Sequence, residues 1–248
     1  MRFINRIGGA GGPNLVALRA AMKALGPTLL LDADLISGND DDAIGTWADD
    51  SGNSRNFTQA TSGYKPRLKK AANGINGHNV LRFDGSDDSL ASAANASTMM
   101  ATTADTMWVV FKIFAIETDY DSTSMYQNDA AIGMYYRGLV FRSSNGANAF
   151  GTDTGGRAVA KSISTSTPYI SRSRHSSGTL YHRINGDAEG SIALSTISSL
   201  DHVMRMGSLL PGEFAQIDIA EVIIFNSALS AGDMAIVDAY LKAKYATY

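Results

Sequence analysis

The sequence predicts an all-β fold, an antiparallel sandwich of two sheets with a short helix before it and another after it. Three observations carry this. The acids are unbalanced, four Glu against twenty Asp, with no Glu before Glu117; Glu favours helix interiors, whereas Asp competes for backbone hydrogen bonds and favours turns. Glycine occurs 24 times in 248 residues, which punctuates the chain with many short connections. Short apolar runs alternate with turn clusters at the spacing of an all-β sandwich.

The elements follow in order. Gly8-Gly9-Ala10-Gly11-Gly12 precedes Pro13, a residue suited to a first helical turn. Leu15, Leu18, Met22 and Leu25 then recur at helical spacing, with Arg19 and Lys23 on the other side, and Gly26-Pro27 stops the helix. A boundary here separates residues 1–27, a helical cap or an anchor into a larger assembly, from the sandwich of residues 28–248. Leu29-Leu30-Leu31 opens the first strand, and Val80-Leu81-Arg82-Phe83 ends at Asp84-Gly85. Residues 91–104 read as a plain loop and strand. Residues 106–116, rich in Val, Ile and Phe and containing Trp108, form the strongest strand, and residues 139–142 end at Asn145-Gly146. Residues 169–175 and 179–184 flank Ser176-Ser177-Gly178 as a hairpin, and Asn185-Gly186 suits the left-handed positions of the next turn. Residues 217–225 are a long apolar strand; Ser230 then caps a helix whose Val237, Tyr240, Leu241 and Tyr245 make one apolar stripe. No repeat of 20–50 residues is present, which excludes solenoids and propellers.

Composition narrows the function. A net charge of −3 argues against a general nucleic-acid binder. The absence of cysteine removes disulfides, Cys-ligated zinc, iron–sulfur clusters and thiol nucleophiles. No apolar run approaches the ~18 residues of a membrane-spanning helix, so no membrane insertion is expected. The opening residues lack a secretory apolar stretch, and the expectation is a chain made in a host cytoplasm with no signal peptide.

Three segments together resemble the laminin G-like, or concanavalin A-like, jelly-roll family of bacterial and phage proteins. Residues 47–60 (WADDSGNSRNFTQA) are similar to its W-x-D-x-S-G-N stretch ending in T-Q. Residues 73–77 and 80–90 (NGING, VLRFDGSDDSL) are similar to its N-G-x-N-G and V-x-R-F-D-G-x-D-D-x-L block. Residues 218–226 (DIAEVIIFN), followed by Leu229-Ser230 and the closing helix, complete the set. The resemblance covers residues 28–245 and implies a jelly roll with Trp47, Phe83 and Leu90 packed inward and function carried by its loops or concave face.

Candidate site residues stand within this frame. Asp84, Asp87 and Asp88, together with Asp32 and Asp34 or with Asp40, Asp41 and Asp42, could offer oxygen ligands to calcium, the one cofactor these residues could serve; the same spelling also makes turns. Residues 216–221 (QIDIAE) resemble the E-x-D-x-x-E strand of β-glucanases built on this sandwich, but Gln216 occupies the place of the attacking Glu, and a neutral amide cannot form a glycosyl-enzyme bond. The histidines show no metal-ligand spacing, and His175 and His182 read as a surface cross-strand pair. Tyr120, Tyr126, Tyr135 and Tyr136, set among Asp, Asn, Ser and Gly, are the candidate glycan contacts. Lys65, Arg67, Lys69 and Lys70 around Pro66 mark a protected sheet edge.

The expectation from sequence is a non-catalytic recognition or structural module and not an enzyme: a bacteriophage virion surface protein in capsid decoration, fibre or tail, binding cell-surface glycan or neighbouring virion proteins as a homo-oligomer. The alternatives are a carbohydrate-active enzyme using Asp218 and Glu221, or a purely architectural domain.

Overall fold

The structure, a computed structural model, describes residues 14–115, 123–124, 140–141, 148–151, 158–193, 203–208 and 214–247. Its elements are α1 (Leu15–Ala24), β1 (Leu29–Asp32), β2 (Thr46–Trp47), β3 (Phe57–Thr58), β4 (Arg67–Lys69), β5 (Val80–Asp84), β6 (Leu90–Asn95), β7 (Asp105–Ile113), β8 (Thr123–Ser124), β9 (Val140–Phe141), β10 (Asn148–Gly151), β11 (Ala158–Lys161), β12 (Pro168–Ser176), β13 (Thr179–Ile184), β14 (Gly190–Ala193), β15 (Val203–Met206), β16 (Gln216–Phe225) and α2 (Ala231–Tyr245). All strand pairs are antiparallel. The main sheet runs β14-β13-β12-β7-β16-β5-β4, with β1 also pairing β16; a second sheet runs β15-β6-β3-β2, and β11-β10-β9-β8 form a third. The predicted fold class, a jelly-roll sandwich with a helix near each end, is the one observed.

Local chemistry sets the boundaries. Asn14 caps α1 by accepting the Val16 N–H at 3.0 Å, and Ser230 caps α2 by accepting the Asp233 N–H at 3.1 Å. The hairpin between β12 and β13 turns on Ser177 and Gly178, both at positive φ (50° and 73°), the handedness that matches strand twist. Its register sets Ser173 against His182 and His175 against Leu180, so the two histidines are not opposite one another, and both are buried rather than on the surface. β4 ends the main sheet as Pro66 suggested, but its outer side is covered by backbone rather than guarded by charge: the Asp41 N–H donates to the Leu68 carbonyl at 2.7 Å, the Leu68 N–H to the Asp42 carbonyl at 2.9 Å and the Ile44 N–H to the Pro66 carbonyl at 2.9 Å.

Two cores lie on opposite faces of the main sheet. Leu29, Leu31, Leu81, Phe83, Phe111, Ile217 and Ile219 pack between the sheets with Trp47, Phe57 and Leu90 of the second sheet. Leu30, Trp108, Val110, Ile223 and Phe225 pack outward beneath Met22 of α1 and Val237, Tyr240, Leu241 and Tyr245 of α2. This is why β7 and β16 read as continuous apolar runs: both of their faces are covered.

Candidate functional site

The acids of the turn between β5 and β6 do converge. Asp84, Asp87 and Asp88 bring carboxylate oxygens within 4.8 Å of one another. Asp84 Oδ1 accepts the Ser86 N–H at 2.8 Å and the Asp87 N–H at 3.4 Å, and Asp88 Oδ2 accepts the Asp84 N–H at 3.1 Å. Burial, then the charge of Asp84, pushes the Asp88 carboxyl up to about 7. A hard cation would find three carboxylates here, and its charge would relieve their mutual repulsion. The other acids weighed for such a site are engaged elsewhere. Asp32 and Asp34 bind Lys244, Arg19 and His78. Asp40, Asp41 and Asp42 hold Asn73, Lys69 and the Asn39 N–H.

Asp218 and Glu221 are both on β16 and both inaccessible, at 0% and 1% exposure. A bulge between Ile219 and Glu221 turns the strand so that Asp218, Ala220 and Glu221 face the helical layer while Ile217, Ile219, Val222 and Ile224 face the other sheet. Arg82 grips Asp218 with Nε at 2.7 Å and Nη2 at 2.9 Å, and Lys112 approaches at 3.1 Å. Both cations also cover the Phe114 ring, at 4.7 and 5.1 Å from its centre.

Glu221 accepts from Lys244 Nζ, Tyr240 OH and Tyr245 OH, each at 2.9 Å. Lys244 reaches on to Asp32 at 2.8 Å and Asp34 at 3.3 Å. His78 Nδ1 lies 2.7 Å from Asp34, and Arg19 lies 3.2 Å from Asp32. Burial raises the Glu221 carboxyl, against the pull of Lys244. Burial alone would strip Lys244 of its proton, but Glu221 and Asp32 outweigh it and raise the ammonium instead. Burial and Glu221 likewise hold both tyrosines protonated. Burial pushes Asp34 up too, yet the bond from His78, the Asn79 N–H and the Lys244 charge carry it down to about 2. Chemically this is a clamp, with each charge answered by another. Sequence reasoning saw Tyr240 and Tyr245 only as an apolar stripe and missed Lys244, whose position four residues after Tyr240 was the available signal.

Tyr120, Tyr126, Tyr135 and Tyr136, the candidate glycan contacts, lie outside the described residues. A cleft that the sequence did not single out lies where β1 and β2 part. It has a volume of about 250 Å³ and is lined by Asp32 and residues 35–37 on one side and residues 43–48 on the other.

No protein-family model matches the chain, and no curated protein matches it. Solved structures do, at the level of fold. One is Trypanosoma rangeli sialidase in complex with sialic acid, 13% identical with a TM-score of 0.62, matched over 98% of this chain and 35% of that one. Another is domain 4 of AbnA, a GH43 extracellular arabinanase from Geobacillus stearothermophilus, in complex with arabinotriose. It is 14% identical, with a TM-score of 0.63, over 86% of this chain and 98% of that one. A third is the binding domain of botulinum neurotoxin serotype D, 16% identical, TM-score 0.58, over 92% and 53%. The chain therefore spans about a third of the sialidase chain it matches. These neighbours correct the expectation that the chain is not an enzyme: the same sandwich occurs in chains described as glycoside hydrolases, so the fold gives no ground for excluding catalysis. What is shared is the fold, and function rests on the site. No helix among the described residues is long and apolar enough to cross a membrane.

Proposed function

We propose that the chain is a carbohydrate-recognition module of the laminin G-like kind. The observation that supports it best is the extent of the match with the arabinanase domain, which is covered over 98% of its length and is described in complex with arabinotriose. A complete domain of this shape thus engages a saccharide, and the toxin binding domain is a second recognition unit of the same shape. The setting we propose is the surface of a bacteriophage virion, as a capsid decoration, fibre or tail component in symmetric copies beside other virion proteins. The three resembling sequence segments and the cysteine-free, turn-rich composition support that setting.

A glycan array tests the recognition. Intact protein is expected to bind a discrete subset of saccharides, and silence across the array overturns the reading in favour of a purely architectural domain. Flanking genes for portal, capsid or tail proteins are expected, whereas genes for secretion and sugar uptake would overturn the virion setting.

A further inference from the structure

Leu31 and Asp49 face one another as a backbone bridge, and beyond it the chain stretches carrying β1 and β2 line the two sides of the cleft. Its volume of about 250 Å³ is room for roughly eight waters at ~30 Å³ each, the scale of a single sugar ring. The walls combine two kinds of surface. Leu35, 57% exposed, Ile36 and the buried Ile44 and Trp47 supply apolar area, while Ser37 and Thr46 bring exposed hydroxyls. Polar and apolar surface share the wall about equally, which suits a ligand with an apolar face and a hydroxyl-bearing edge.

Trp47 supplies a reporter beside the cleft. Its indole N–H is buried and has no hydrogen-bond partner, whereas the other indole, of Trp108, donates to Asp238 at 2.8 Å. Trp47 is fully buried among the residues between the sheets, so its indole is closed to a ligand and senses the cleft through the wall it helps to form. Charge decides the class of ligand. Asp32 is the one charged residue in the lining, and its oxygens are already taken by Lys244, Arg19 and the Asp34 N–H. Lys65 approaches Gly45 from outside the lining. The lining thus has no cation to receive a carboxylate, and its one carboxylate is already paired.

We propose that this cleft binds one neutral sugar residue of a glycan, with the ring's apolar face on Leu35 and Ile36 and its oxygens meeting Ser37 and Thr46. The proposal rests on the carbohydrate-recognition reading and adds to it a place and a ligand class.

The experiment follows the two indole N–H resonances of the 15N-labelled chain, which contains two tryptophans. Glucose, galactose, mannose, N-acetylglucosamine and, as the acidic probe, N-acetylneuraminic acid are each added to about 20 mM, enough to populate a millimolar site. The Trp47 resonance is expected to shift with at least one neutral sugar and not with the acidic one, while that of Trp108 stays. Ala43→Phe, which fills the cleft from an exposed position, is expected to weaken binding at least about tenfold without lowering Tm. A Trp47 resonance unmoved by every neutral sugar, moved as far by the acidic one, or still responsive in Ala43→Phe overturns the proposal. If the array is positive while the resonance stays still, the cleft fails and the recognition reading stands; if both are silent, both fail.

Discussion

Asp88 sits beneath the turn between β5 and β6, where burial and the neighbouring Asp84 charge raise its carboxyl to about 7. In the unfolded chain it ionises near 3.9, so between roughly pH 4 and pH 7 the folded state keeps a proton that the unfolded state has lost. That contribution is complete below the unfolded value and disappears as pH rises through the folded one. Asparagine retains an oxygen for the Asp84 N–H and carries no charge. Asp88→Asn is accordingly expected to raise Tm by about 2–4 °C at pH 8 in calcium-free buffer and to leave it unchanged at pH 4. Thermal melts at the two pH values check this, and an equal shift at both would refute it. The acidic turn was legible in the sequence because Asx bonds span two or three residues. The burial of Asp88 was not, because it depends on what the turn lies against.

Helix α2 shows the same division one level up. Its cap and its apolar stripe could be read directly, since Ser230 stands just before the first turn and the stripe repeats at helical spacing, with all four stripe residues buried. Lys244 shares that buried face and closes a charge cluster with Glu221 on β16 and Asp32 on β1. Removing it leaves Glu221 buried without its cation and Asp32 with Arg19 alone, so Lys244→Met is expected to cost about 3–5 kcal/mol in urea unfolding. Glu221→Gln in the same chain is expected to recover part of that loss, because the pair is coupled. A single-variant cost below about 1 kcal/mol would mean that α2 is held by its apolar stripe alone. The bulge at Ala220 matters here as well: without it Glu221 would point into the other core.

Across the whole molecule, the sandwich requires its two sheets to meet closely, and Gly207 marks one such contact. At φ +83°, a Cβ there would fall 2.2 Å from the Phe83 ring and 2.7 Å from the Asp88 carbonyl oxygen. Gly207→Ala therefore combines backbone strain with overpacking and is expected to cost about 3 kcal/mol or more; unfolding within about 0.5 kcal/mol of the parent chain would contradict the close approach. The long strands β7, β12, β13 and β16, the turn at residues 176–178 and the Ser230 cap followed from the residues because each is set by steric and hydrogen-bonding preferences within a few residues. Which face of each strand meets which layer, the separate fates of Asp218 and Glu221, and the fork that makes the cleft all came from packing. Lys244 and Asp32 lie 212 residues apart in the chain and 2.8 Å apart in space. Charge pairing and desolvation depend on that spatial distance, and the local periodicity of a sequence carries no record of it.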